Sequence, residues 1–322
     1  MADKLYTYAV ARIRSKELTL LTRSFFDQLL ASKSYEDCMR LLKDKGWGTQ
    51  GDETAEELLQ IERNKTWDLI RELIEDMSVF DTFLYENDFH NLKAAIKEIY
   101  INKKFDNIYI SHGTIDPNII QQAVIERDFS LLPEYMRLCG EEAYDVQLHT
   151  GDSQLCDIII DKAALETIYR KGKESKNELL AKYAQLKVAA SNINIAIRSH
   201  KTGKTKEFLE KALVECDTLN KDSLIEAVLN GEEAIYDYLA TTVYHDAVQA
   251  VKKSPSSFEK WCDNLIIEHI KPQKYNPFTL SPLAAYILAR ENEIKSVRIV
   301  LSGKQNELSE ESVRERLREM YV

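Results

Sequence analysis

Apolar residues recur along this chain at steps of three and four. Leu283, Ile287, Arg290, Ile294, Val297 and Leu301 follow one another at 4-3-4-3-4, with one charge inside the set. Tyr183, Leu186, Ala190, Ile193 and Ile197 step at 3-4-3-4, and Phe89, Leu92, Ile96 and Ile99 keep the same rhythm. Each set lays one stripe along one side of an α-helix, and the helices must bury those stripes against one another. Asn107–Ser111 alternates briefly like a strand, but its neighbours read as helix and loop. The pattern predicts an all-α fold.

Start and stop signals mark individual helices. Ser281-Pro282 predicts an N-cap followed by proline at the first helical position, and Asp116-Pro117 does the same. Gly46-Trp47-Gly48 ends a first helical hairpin, and 49–53 reads as an exposed turn. Ser309-Glu310-Glu311 opens a last helix with carboxylates at its positive end, and Arg314, Arg316 and Arg318 follow toward its C-terminal end. Residues 309–322 read as an exposed helix laced with salt bridges, docked through Val313, Leu317 and Met320.

A weak repeat runs through the pattern. Asn, four residues, an aliphatic and then Lys or Arg occurs as Asn91…Ile96-Lys97, Asn192…Ile197-Arg198 and Asn292…Val297-Arg298, at intervals of 101 and 100 residues. Tyr8…Ile13-Arg14 is a fourth relative with Tyr in place of Asn. A second element, a helix end and polar turn, appears at Leu29–Ser34, Ala123–Asp128 and Ala227–Glu232. We expect three similar helical-bundle modules: 1–85, 86–185 and 186–280. Residues 281–322 form a C-terminal helical hairpin that closes on the first module and can complete it.

Composition narrows the function. Ten Gly and six Pro in 322 residues leave few places to break a helix. The net charge of −10 disfavours nucleic acid and bare anionic membrane as partners. No apolar run approaches the roughly 20 residues needed to span a bilayer, and Met1–Ala11 lacks the apolar core of a signal peptide, so a cytoplasmic chain is expected without direct membrane insertion. Five scattered cysteines without a CxxC pair read as reduced, mostly buried thiols.

Catalytic signatures are missing. Gly203-Lys204-Thr205 and Ser302-Gly303-Lys304 mimic a phosphate loop, but Arg198 and Arg298 stand where the first glycine belongs. Both read better as a helix-capping glycine followed by a solvated lysine. The six histidines are single, without metal-ligand spacing. No catalytic, cofactor-binding or metal-binding residue is assigned.

The remaining candidates are cations that meet a partner. Arg290 lies inside an apolar stripe and must find a carboxylate, either within the chain or on a partner. Arg12 and Arg14 flank Ile13, and Arg14, Arg198 and Arg298 share the repeat's cationic position, so they line one partner-facing surface or an ordinary solvated face. Lys304 joins these partner-binding candidates.

Two segments resemble a known family. Tyr8-Ala9-Val10-Ala11-Arg12-Ile13-Arg14-Ser15-Lys16 is similar to the opening of the C subunit of archaeal and bacterial A/V-type ATPases, the counterpart of the d subunit of the eukaryotic vacuolar ATPase. Asn276-Pro277-Phe278, Pro282–Glu291, Glu293-Ile294-Lys295, Val297-Arg298-Ile299, Ser302-Gly303-Lys304 and Arg314–Val322 resemble its closing signature. The resemblance implies three similar helical domains in a funnel-like, pseudo-threefold arrangement, seated on the membrane rotor ring and receiving the central shaft. It implies a non-catalytic, cofactor-free rotor subunit that transmits torque for ATP-coupled proton or sodium transport, peripheral to the membrane through the ring. A soluble helical-repeat adaptor unrelated to rotary ATPases, or a helical enzyme with a dispersed site, would explain the periodicity without the resemblance.

Overall fold

A computed structural model describes residues 6–49, 51–105 and 107–322 of the chain. Among the described residues there are α-helices, short 3-10 turns and no strand beyond one isolated bridge, Cys216 with Leu219. Asn107 and Ser111 lie outside regular structure. The helices are α1 (Thr7–Glu17), α2 (Arg23–Ala31), α3 (Tyr35–Asp44), α4 (Ala55–Leu73), α5 (Tyr85–Ile101), α6 (Pro117–Glu126), α7 (Glu134–Thr150) and α8 (Ser153–Glu174). They continue as α9 (Glu178–Lys201), α10 (Lys206–Ala212), α11 (Lys221–Asn230), α12 (Glu232–Ala240), α13 (Ala247–Lys253), α14 (Pro255–Ile270), α15 (Ser281–Gln305) and α16 (Glu310–Arg316).

The chain divides into two compact units. One joins Met1–Met77 to Gln249–Val322, and the other is Ser78–Val248. The first is built from both ends of the sequence. Its core brings Phe25, Phe26, Leu29, Leu42 and Leu58 together with Ile294, Val297, Val300, Leu301 and Val313. The stripe read from Leu283 to Leu301 is α15, and Ser281–Arg290 is buried residue after residue. Such a helix has no solvent face over its first turns, which is why charged residues thin out there.

In the second unit, α5, α6, α7 and α8 close on Phe89, Leu92, Ile96, Ile120, Val124, Met136 and Ile160. Helices α9 to α12 bury Ile193, Leu209, Leu224, Ile225, Ile235 and Leu239.

The repeated asparagines do one job. Asn91, on α5, donates through Nδ2 to the Ile110 carbonyl (2.9 Å) and accepts from the Ile110 N–H at 2.8 Å. Asn192, on α9, holds Val214 in the same two-sided way, at 2.7 and 3.1 Å. Asn292, on α15, donates to the Glu319 carbonyl at 2.9 Å, while the Glu319 N–H turns to Asn264 instead. Each buried amide therefore pins an irregular segment to a long helix, satisfying backbone groups that no ladder would satisfy. The N-caps Asp116 and Asn220 lie equally far beyond Ile110 and Val214, and the second motif begins at the same distance past Asp116, Asn220 and Thr22. Tyr8 does not share the role: it is 67% exposed.

Four local expectations change. Ser281 is already helical and the N-cap position belongs to Leu280, whose own backbone is helical, so that Pro282 stands one residue inside the helix start. Gly303 is not a cap but an interior helical residue, and an added Cβ would lie 2.4 Å from Val313 Cγ2. Its use is close approach of α16 to α15. Lys304 is not solvated, since its Nζ donates to the Leu30 and Ser32 carbonyls, both at 2.6 Å. These are the free carbonyls at the end of α2, where a cation is favoured. Finally, α16 stops at Arg316 and residues 317–322 are not helical. Val313 and Met320 are buried as docking residues and Leu317 is half-buried, but Arg318 is buried too, ion-paired to Asp263 at 2.8 Å and Glu259 at 3.1 Å.

Candidate functional site

The charge inside the apolar stripe anchors a buried network. Arg290 is 6% exposed and ion-paired to Glu62 of α4 and to Glu293 one turn along α15. Its Nε donates to the Thr66 hydroxyl at 3.3 Å, and its guanidinium lies over the Trp47 ring at 5.1 Å. Glu293 accepts the Leu21 N–H, and Glu62 accepts the Gly48 N–H at 2.8 Å. One cluster thus ties α15 to α4, to the segment after α1 and to the turn after α3. Burial works against the Arg290 charge, but Glu293, Tyr286 and Glu62 hold its pKa above the ordinary value. Burial pushes the Glu293 carboxyl up, against the pull of Arg290.

Arg14 is also engaged within its own unit. It pairs with Glu17 at 2.7 Å and donates to the backbone carbonyls of Gln273 and Asn276. Glu17 in turn accepts from the Tyr321 hydroxyl at 3.0 Å. The cationic position of the repeat serves packing in two more places, where Lys97 pairs with Asp157 at 2.7 Å and Arg298 with Glu56 at 2.7 Å. The Arg298 pair is largely solvated and is worth little to stability, so its guanidinium is available.

Arg198 is exposed and has no ion-pair partner among the described residues. It borders a cavity of about 310 Å³ between α8, α9 and α10, with Gln154, Asp161 and Phe208. Arg12 is exposed, with its nearest carboxylate, Glu72, 4.0 Å away. It borders a larger cavity of about 470 Å³, whose inner wall includes Trp47, Tyr286 and Arg290. The six cations therefore do not converge. Arg290, Arg14 and Lys304 hold the unit built from the two chain ends, and Arg12, Arg198 and Arg298 face outward. Lys16 and Tyr286, which share the Arg12 cavity, are not singled out by the pattern, because a lysine on an exposed face and a tyrosine beside an apolar stripe carry no signal of their own.

None of the α-helices among the described residues is long and apolar enough to cross a membrane. The four cysteines Cys38, Cys139, Cys156 and Cys216 are buried free thiols, and Cys262 is partly exposed. Burial pushes the Cys38 thiol up and the Cys156 thiol up to about 11, which makes both poor nucleophiles.

The fold and its charges define an all-helical protein in which buried cations such as Arg290 and Arg318 fasten helices and chain segments to one another. The chain belongs to the ATP synthase (C/AC39) subunit family, which it matches over residues 9–316. It is 23% identical to the C subunit of the V-type sodium ATPase of Enterococcus hirae, across 96% of this chain and 97% of the relative. It is 24% identical to the C subunit of the V-type ATP synthase of Thermus thermophilus, across 93% and 94%, and 25% identical to that of the A-type ATP synthase of Methanocaldococcus jannaschii, across 96% and 85%. The protein is accordingly a non-catalytic subunit of a rotary V/A-type ATPase. The readings as an unrelated adaptor or a helical enzyme fall with that membership.

Proposed function

We propose that this subunit links the central shaft of the rotary ATPase to the membrane rotor ring and carries torque between them for ATP-coupled proton or sodium transport. The observation that carries the reading is the family match from residue 9 to residue 316. The packing is suited to it. A torque carrier must resist shear, and close-packed helices cross-tied by buried ion pairs such as Arg290–Glu62 have low compliance. In this reading the three modules of the sequence pattern surround a funnel-like cavity for the shaft, the first module being completed by 281–322. The chain is cytoplasmic and meets the membrane through the ring.

Arg12, Arg198 and Arg298 are the proposed contact residues, because each can meet a partner without dismantling the fold. A partner role for Arg14, Arg290 or Lys304 would require breaking internal bonds first. Imaging of the purified complex tests the proposal: the chain should lie on the rotor axis between shaft and ring. Charge reversal at Arg12, Arg198 and Arg298 together should release the chain from the complex while its helicity by circular dichroism is kept. A chain found on a peripheral stalk, or retention of the triple variant at wild-type level, would count against it.

A further inference from the structure

The cavity beside Arg12 has a hydroxyl on its inner wall without a hydrogen-bond partner among the described residues. Tyr286, one turn before Arg290 on α15, is 5% exposed and lines the cavity, and its hydroxyl makes no hydrogen bond among the described residues. Burial pushes the phenol up to about 12, so it keeps its proton at neutral pH and can donate. The hydroxyl is not among the fully buried polar atoms left unpaired, so it opens on the cavity, where water or an entering acceptor can take its hydrogen bond.

The mouth of the cavity is cationic and underused. Lys16 is exposed with no carboxylate partner among the described residues. Lys45 meets only the Phe25 ring, at 5.3 Å. The acids of the lining are differently placed: Glu62 is occupied by Arg290, Lys65 and the Gly48 N–H, and Asp68 pairs with Arg71 at 2.7 Å. A positive excess therefore collects around one pocket of a chain whose net charge is −10.

We propose that this cavity receives the side-chain carboxylate of an acidic residue on another subunit of the assembly. The Tyr286 hydroxyl bonds it from within, and Lys16, Lys45 and Arg12 draw it in at the mouth. The inference rests on the reading of this chain as a link inside the rotary ATPase and adds the chemistry of one contact. A carboxylate suits the pocket better than a phosphate. The Arg290 fork, the group best matched to phosphate, is spent on Glu62 and Glu293. Asp68 and Glu72 also stand in the lining, where they repel a dianion more strongly than a monoanion.

Zero-length crosslinking of the purified complex tests this. A water-soluble carbodiimide couples a lysine amine to a carboxylate only where the two already touch, and mass spectrometry of the digest reads the pair. The expected product joins Lys16 or Lys45 to an Asp or Glu of a different subunit. Lys16→Gln combined with Lys45→Gln should remove it, and Tyr286→Phe, which keeps the ring, should lower its yield about fivefold, as for one lost hydrogen bond. The Lys253–Glu315 and Lys187–Glu86 pairs, 3.3 and 2.7 Å apart within the chain, report that each variant is folded.

A map in which other lysines of this chain reach other subunits, while Lys16 and Lys45 do not, overturns the pocket and leaves the linking role standing. A complex that purifies without the chain overturns both. If inorganic phosphate suppresses the Lys16 or Lys45 product where chloride of equal ionic strength does not, the cavity belongs to phosphate and the carboxylate assignment is overturned.

Discussion

Asn192 holds Val214 by both ends of its amide, donating to the carbonyl at 2.7 Å and accepting from the N–H at 3.1 Å. The same exchange joins Asn91 to Ile110. Removing either amide leaves a backbone N–H and C=O without partners, buried at Val214 and half-buried at Ile110. Asn91→Ala and Asn192→Ala should each lower the unfolding free energy by about 2–4 kcal/mol, measured by urea titration. Asn292→Ala should cost less, because Asn292 makes one such bond and its Oδ1 is buried without a partner. Equal losses at all three sites would show that the amides are not acting through these bonds.

Arg290→Met should be among the most damaging single changes in the chain. It strands Glu293 in the interior and leaves Glu62 with Lys65 as its remaining cation, a loss of about 3–5 kcal/mol for a broken buried pair. Adding Glu62→Gln and Glu293→Gln removes the stranded charges but keeps acceptors for Gly48 and Leu21. The triple variant should melt well above the single one. If it does not, the Arg290 charge stabilises through something other than its two carboxylates.

Gly303 and Val313 fit as a pair. Gly303→Ala drives a methyl group into Val313 and should cost about 1–3 kcal/mol through overpacking. In a double-mutant cycle with Val313→Ala, the two losses should fall short of adding. Strict additivity would mean that the helices move apart freely at this crossing.

Asp88 should leave a mark on the pH dependence of stability. Burial raises its carboxyl to about 6, against hydrogen bonds from Thr114 and Ile115 that favour the charged form. Between the unfolded value of about 3.9 and the folded value, the native state binds the proton and the unfolded chain does not. The Asp88 contribution to stability is therefore greatest below about pH 4 and falls away as the pH rises through about 6. Relative to Asp88→Asn, wild-type protein should lose about 2–3 kcal/mol between pH 4 and pH 7 in chemical denaturation. A difference that stays flat with pH would contradict the shift.

Much of the helical content was legible because buried stripes repeat at a fixed period. The Leu283–Leu301 set falls on one continuous helix, and Asp116, Ser309 and Pro117 sit at the helix starts their chemistry suggests. The start at Ser281 is off by one position because serine and proline are both good openers and the pattern cannot rank them. Gly303 reads as a cap because a glycine's sequence neighbours do not reveal that Val313 will approach it. Arg290 was legible as a charge that needs a partner, but not as one whose partners lie on α4 and its own helix. Lys304 carried no sign that its amine would reach the end of α2, since contacts across most of the chain leave no local trace. Tyr286 was hidden for another reason: beside the Leu283–Leu301 stripe, in a run of buried residues, it gave no hint that its hydroxyl would open on a cavity.

The core that joins Phe25, Phe26 and Leu29 to Ile294, Val297 and Val313 sets an order of events during synthesis. The ribosome releases α2 early and α15 late, tens of seconds apart at about 5–20 residues per second. Over that interval the phenylalanines of α2 lack the surface they will be buried against, and a chaperone has time to cover them. A nascent chain stalled before α15 has only the α3 and α4 side of that core, Leu42 and Leu58 among it, to lay against them.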